Sequence, residues 1–134
     1  MSDVKCRVLI IDDHDDTAEM LKILLGEEDY KVTTAATMQE ALSLAASKEF
    51  DLYVLDKRLP DGNGVELCAK LNQITPGVPC IFYTGDAYEI HRVEAIAAGA
   101  DAYVAKPDLE GLIENISKLL AKAECASATV GVKQ

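Results

Sequence analysis

Five short apolar runs, each rich in β-branched or aromatic residues or in alanine, alternate along the chain with longer amphipathic stretches. Val8-Leu9-Ile10-Ile11 is the clearest, four apolar residues that stop at Asp12-Asp13. A run of this length is too short for a helix and reads as a strand buried on both faces. Similar runs follow at Val32-Thr33-Thr34-Ala35, Leu52-Tyr53-Val54-Leu55, Cys80-Ile81-Phe82-Tyr83 and Ala102-Tyr103-Val104-Ala105. Strands this apolar need helices on both sides of a parallel sheet, joined by right-handed crossovers. The pattern predicts a three-layer α/β sandwich.

The intervening stretches carry helix signals. Asp15-Asp16-Thr17 can cap a first helix that Gly26 can stop. Thr37-Met38-Gln39-Glu40 has the capping-box spacing of a second. Leu59-Pro60-Asp61-Gly62-Asn63-Gly64 reads as a loop, and a third helix follows from Val65 to about Asn72. A fourth covers Tyr88 to Ala98, and Asp108 caps a fifth with Leu109, Leu112, Ile113, Ile116, Leu119 and Leu120 on one face. One domain is expected over residues 1–125, with a frayed or disordered tail at 126–134.

Composition removes several classes of function. Asp and Glu number 23 against 13 Lys and Arg, a formal net charge of −10. Such a surface repels phosphate backbones and anionic lipid heads, so direct nucleic-acid or membrane binding is not expected. No signal-peptide layout and no spanning run stand out, which predicts a cytoplasmic protein. Cys6, Cys68, Cys80 and Cys125 are scattered without a C-x-x-C pair, and four reduced thiols packing as small apolar groups are expected.

In an open parallel sheet, ligands bind beyond the carboxyl ends of the strands. Those ends carry Asp12 and Asp13, Asp56, Thr84 and Lys106. Taken singly, each has an ordinary account: a helix-cap pair, a surface ion-pair residue, a turn hydroxyl, a solvated lysine. Taken together they place three carboxylates, a hydroxyl and an ammonium on one rim. Clustered carboxylates call for a cation, and this sparse, hard oxygen set suits Mg²⁺, which keeps several waters and binds phosphate. One carboxylate can then attack phosphorus, with Lys106 and Thr84 meeting the phosphoryl oxygens.

These residues resemble the receiver domain of response regulators of two-component signalling. The resemblance rests on Ile10-Ile11-Asp12-Asp13, Leu55-Asp56-Lys57-Arg58-Leu59-Pro60-Asp61-Gly62-Asn63-Gly64, Thr84-Gly85 and Lys106-Pro107, in family order over about residues 4–124. It implies a flavodoxin-like (βα)5 fold, as in the chemotaxis regulator CheY, with strand order 2-1-3-4-5. It also implies that Asp56 is the phosphoacceptor, taking its phosphoryl group from a histidine kinase or histidine phosphotransfer protein. Asp13 would ligate Mg²⁺ directly, Asp12 largely through water, and the Arg58 backbone carbonyl would be a further ligand. Lys106 would bind the phosphoryl group, the Lys106–Pro107 bond would be cis, and Gly85 would leave room beside the phosphoryl group.

The implied switch moves Thr84 toward the phosphoryl group and turns Tyr103 inward. That would change the surface of the fourth helix, fifth strand and fifth helix, and with it the choice of downstream protein partner. A monomer or a weak phosphorylation-dependent dimer is expected. The chemistry would be stoichiometric and self-catalysed, with slow self-dephosphorylation. Arg58 and Asp86 are expected to flank the route of attacking water, as an ion pair, and to set the phosphoryl lifetime. His14 reads as a solvated loop histidine and His91 as a surface residue.

Competing readings are a Mg²⁺-dependent phosphohydrolase with an Asp nucleophile, a flavodoxin-like cofactor binder and a binding module that is never phosphorylated. The hydrolase would want Asp-x-Asp-x-Thr after its first strand, and Asp56-Lys57-Arg58 lacks the second Asp. The cofactor binder would want a Ser/Thr/Gly-rich phosphate loop where Asp12-Asp13 stand. The intact site argues against the inert module.

Overall fold

The computed structural model describes residues 5–86 and 88–121. Strands β1 (Arg7–Ile11), β2 (Lys31–Ala35), β3 (Leu52–Leu55), β6 (Cys80–Thr84) and β7 (Ala102–Ala105) form one parallel sheet in the order β2-β1-β3-β6-β7. Helices α1 (Asp15–Glu27), α2 (Met38–Ser47), α3 (Gly64–Ile74), α4 (Glu89–Ala97) and α5 (Leu109–Ala121) connect and cover it. The expected order 2-1-3-4-5 is therefore met once a small hairpin, β4 (Arg58–Leu59) with β5 (Gly62–Asn63), is set aside.

Alternation along the strands builds two cores. Leu9, Ile11, Tyr53, Leu55, Cys80 and Phe82 face Ala41, Ala45, Leu67, Cys68, Leu71 and Ala95 of α2, α3 and α4. Val8, Ile10, Leu52, Val54, Ile81, Tyr83 and Val104 face Leu21, Leu25, Leu112, Ile116 and Leu120 of α1 and α5. Both sheet faces are thus dry. Each fully buried aliphatic side chain contributes about 1.5–3 kcal/mol relative to exposure.

Several local expectations change. The 59–64 segment contains an antiparallel hairpin rather than a plain loop. Helix α1 runs through Gly26, and the left-handed turn beyond it is taken by Asp29 at φ 71°. Aspartate tolerates this region because its short polar side chain can bond locally. At α2, Thr37 Oγ1 accepts from the Glu40 N–H at 3.0 Å, while the Glu40 carboxylate reaches the Ala36 N–H at 2.9 Å. The reduced state expected of four thiols fails at Cys6, which is disulfide-bonded, whereas Cys68 and Cys80 are free and buried. Cys125 and the tail expected over 126–134 lie outside the described residues. Among the described residues no helix is long and apolar enough to cross a membrane.

Candidate functional site

The parallel ladder sets the rim. Asp12 N–H donates to the Ala35 carbonyl, Asp56 N–H to Ile11 and Lys106 N–H to Thr84, at 3.0, 2.9 and 2.8 Å. These bonds bring the residues that leave β1, β3 and β7 to one edge of the sheet. The loop after β3 is held from its far side. Asp61 accepts the Met38 and Gln39 N–H groups at 2.8 and 2.9 Å, and those two donors hold its carboxyl below the usual carboxylate range. Gly64 closes the same loop, its N–H donating to the Lys57 carbonyl at 2.6 Å. A Cβ there would collide with the Asp56 carbonyl oxygen and the Phe82 ring.

Asp12, Asp56 and Thr84 are 4, 5 and 2% exposed, the buried polar residues of the described chain. Lys106 Nζ lies 2.8 Å from Asp12 Oδ2 and 3.2 Å from Asp56 Oδ2. Its ammonium also stands 5.8 Å from the centroid of the Tyr83 ring, within cation–π range. Burial alone would pull the Lys106 pKa down, but the Asp12 hydrogen bond and the nearby charges of Asp56 and Asp12 raise it. The ammonium offsets much of the repulsion between two carboxylates that water screens poorly.

His14 also belongs to this site. Its N–H donates to Asp12 Oδ1 at 2.9 Å. Its Nδ1 lies 2.9 Å from Asp12 Oδ1, 3.3 Å from Asp13 Oδ1 and 3.6 Å from Asp56 Oδ2. The hydrogen bond to Asp12, followed by the charge of Asp12, raises the imidazole pKa. The ring is 65% exposed, as expected of a solvated loop histidine, and its Nδ1 also pairs with the acidic cluster. The sequence signal was its position directly after the acidic pair.

The Asp86 surroundings differ more. Asp86 does not pair with Arg58. Its carboxylate takes His91 Nδ1 at 2.6 Å and the Tyr88 N–H at 3.1 Å. His91 is therefore a partly buried partner of the β6–α4 loop rather than an idle surface residue. Burial works to raise the Asp86 pKa, but the Tyr88 N–H and the His91 ring outweigh it and lower the value. The Asp86 carbonyl accepts from the Tyr103 hydroxyl at 2.6 Å, and the Tyr103 ring stacks on Phe82 with centroids 5.8 Å apart. Burial, then the charges of Asp86 and Asp56, push the Tyr103 phenol up to about 12.

A cleft of about 560 Å³ opens over this rim, lined by His14, Asp56, Arg58, Thr84, Gly85 and Lys106 among others. A Cβ at Gly85 would meet nothing within 4 Å. Asp12, Asp13, His14 and Asp56 present ligand atoms that all lie within 4.8 Å of one another. The carboxylates are hard oxygen donors that fit a small divalent cation. The Lys106–Pro107 peptide bond is cis.

A parallel five-stranded sheet covered by helices, with buried acids and a lysine at one carboxyl edge, defines a flavodoxin-like α/β class. The sequence model of the response regulator receiver domain matches residues 8–117, and the chain belongs to that family. Among curated relatives, the response regulator ArlR of Staphylococcus aureus is 35% identical over 117 residues, covering 87% of this chain and 53% of ArlR. The chain thus spans about half the length of that relative. A CheY-like receiver domain protein from Methanospirillum hungatei is 37% identical with a TM-score of 0.84, covering 88% of this chain and 95% of that one. TrrA from Thermotoga maritima, solved in complex with Mg²⁺ and BeF, is 34% identical with a TM-score of 0.78, covering 86% of this chain and 99% of that one.

Proposed function

We propose that this chain is a phosphorylation-operated switch in which Asp56 receives a phosphoryl group from a phosphohistidine. The observation that carries the reading is the placement of Lys106 between Asp12 and Asp56, at 2.8 and 3.2 Å, with Asp13 in the same cluster. A histidine kinase or histidine phosphotransfer protein supplies the group. The Asp56 oxygen attacks phosphorus and an O–P bond forms. The P–N bond breaks, and its electron pair stays on the imidazole nitrogen, which takes up a proton. The Mg²⁺ reported for TrrA supports assigning the same ion here, held by Asp13, Asp56 and the Arg58 backbone carbonyl, with Asp12 acting through water. When bound, it supplies positive charge where a phosphoryl group meets carboxylates.

Lys106 is placed to follow the new charge on Asp56. The Thr84 hydroxyl accepts from the Asp86 N–H at 3.3 Å, which leaves its own proton for a phosphoryl oxygen. Tyr103 already lies against Phe82 with its hydroxyl on the Asp86 carbonyl. Phosphorylation therefore acts by retaining this ring position and weighting it against others, a shift of population. Tyr88, Ile90, Val93 and Ile96 are exposed on or beside α4, which supports a downstream protein contact on the α4–β7–α5 side. The acyl phosphate is lost slowly by water attack at phosphorus, which returns the Asp56 carboxylate and inorganic phosphate.

Incubation with Mg²⁺ and acetyl phosphate, followed by intact-mass measurement, tests the reading. A single phosphoryl adduct is expected, and Asp56→Asn should form none. An adduct of equal yield on Asp56→Asn, or none on the unaltered chain, overturns it.

A further inference from the structure

The geometry points to His14 as a nitrogen ligand to the divalent ion of this pocket, biasing it toward first-row transition ions such as Mn²⁺ or Co²⁺ relative to Mg²⁺. This rests on the reading of the pocket as a cation site given above. Two adjacent ligands on an octahedral ion with bonds of about 2.1 Å stand about 3.0 Å apart. His14 Nδ1 already lies 2.9, 3.3 and 3.6 Å from oxygens of Asp12, Asp13 and Asp56. An ion beside Nδ1 is therefore also within reach of Asp13 and Asp56, with Asp12 reached through water as above.

The imidazole is also held in place. His14 is the N-cap residue of α1, and its own N–H is anchored on Asp12 Oδ1 at 2.9 Å. Lys106 takes the other Asp12 oxygen, Oδ2, so ammonium and imidazole do not compete at Asp12. Ion binding displaces the proton that Nδ1 shares with Asp12; the ring is 65% exposed, so Nε2 carries the remaining proton toward water while Nδ1 offers its lone pair. Carboxylate and water suit Mg²⁺, whereas an imidazole donor favours the later first-row ions.

The test uses the full chain, His14→Asn and, as a control, His91→Asn. Pulsed electron paramagnetic resonance of the Mn²⁺-loaded protein should show an imidazole ¹⁴N coupling that His14→Asn abolishes and His91→Asn keeps. Calorimetry should show the Co²⁺-to-Mg²⁺ affinity ratio falling by at least about tenfold in His14→Asn, the smallest loss that removing a ligand's supporting partner usually brings. Mg²⁺ affinity within about twofold of the unaltered chain would show that this variant still folds its pocket. Mn²⁺ binding without ¹⁴N coupling, or an unchanged ion ratio, overturns the assignment of His14 alone. Failure of every ion to bind, or binding untouched by Asp13→Ala, overturns the cation site itself.

Discussion

His91 Nδ1 and Asp86 Oδ2 lie 2.6 Å apart, joining helix α4 to the loop that leaves β6. The same Asp86 bears on Thr84 through its N–H and on Tyr103 through its carbonyl. A single residue thus links the Thr84 hydroxyl, the Tyr103 ring and the start of α4. His91→Asn is expected to speed amide hydrogen exchange over residues 88–92 and to shift the Tyr103 ring resonances. Asp86 has a lowered pKa in the fold, so its stabilising contribution is present above the ordinary carboxylate value of about 3.9 and is lost as pH falls through the lowered value. Exchange rates unaltered in His91→Asn would show that the pair does not restrain the loop.

Arg58 and Asp86 share no partner among the described contacts, because Asp86 is engaged by His91 and Tyr88. Both line the cleft over Asp56. Their effects on phosphoryl lifetime should therefore multiply. The double variant Arg58→Ala, Asp86→Ala is expected to change the self-dephosphorylation rate by the product of the single effects, within about twofold. A clear departure from that product in a timed phosphate-release assay would restore the ion pair expected from sequence.

Tyr103 should ionise late. Its phenol is pushed up to about 12, first by burial and then by the charges of Asp86 and Asp56. An ultraviolet phenolate titration of Tyr103→Phe should lack a step near that value that the unaltered chain shows. The neutral phenol contributes stability below its unfolded pKa of about 10, and that contribution declines as pH rises through the folded value. Identical titration curves for the two proteins would contradict the placement of the ring.

Gly64 is packed where a methyl group has no room, against the Asp56 carbonyl and the Phe82 ring. Gly64→Ala is expected to destabilise the chain by about 1–3 kcal/mol through forced displacement of these groups. Because the displaced carbonyl belongs to Asp56, phosphoryl adduct formation should slow as well. Denaturant unfolding and intact-mass kinetics check the two effects separately. Unfolding that matches the unaltered chain would mean the neighbours yield without cost.

Lys106→Met should leave Asp12 and Asp56 facing each other without their ammonium. Lys106 is partly exposed and water screens part of the charge, so a loss of about 1–2 kcal/mol is expected in chelator rather than the larger cost of a fully buried pair. Its raised pKa means that this stabilisation is intact below about 10.4 and fades as pH rises through the folded value. The gap between the two proteins in denaturant unfolding should accordingly be flat from neutral pH to that point. A gap that already closes at neutral pH would argue against the pairing.

The sheet was legible because its strands are continuous apolar runs with polar stops. The runs ending at Asp12, Asp56, Thr84 and Lys106 needed only the parallel arrangement to place those residues on one edge. The hairpin at Arg58–Leu59 and Gly62–Asn63 was not legible, since two-residue strands carry no period and their turn residues also suit an open loop. Asp61 was hidden for a related reason. Its cap on Met38 and Gln39 joins residues 22 or 23 apart in sequence, and no local pattern records such an approach.

The alternation of apolar runs and amphipathic stretches, by itself, determined the layered architecture and which side chains could reach the carboxyl edge of the sheet, because burial and strand period act locally along the chain. Tertiary structure alone decided which charges pair: His14 with Asp12, and His91 rather than Arg58 with Asp86. Ion pairs and hydrogen bonds depend on distances of a few ångströms between loops and helix ends. Those distances are set only when the separate elements pack against one another.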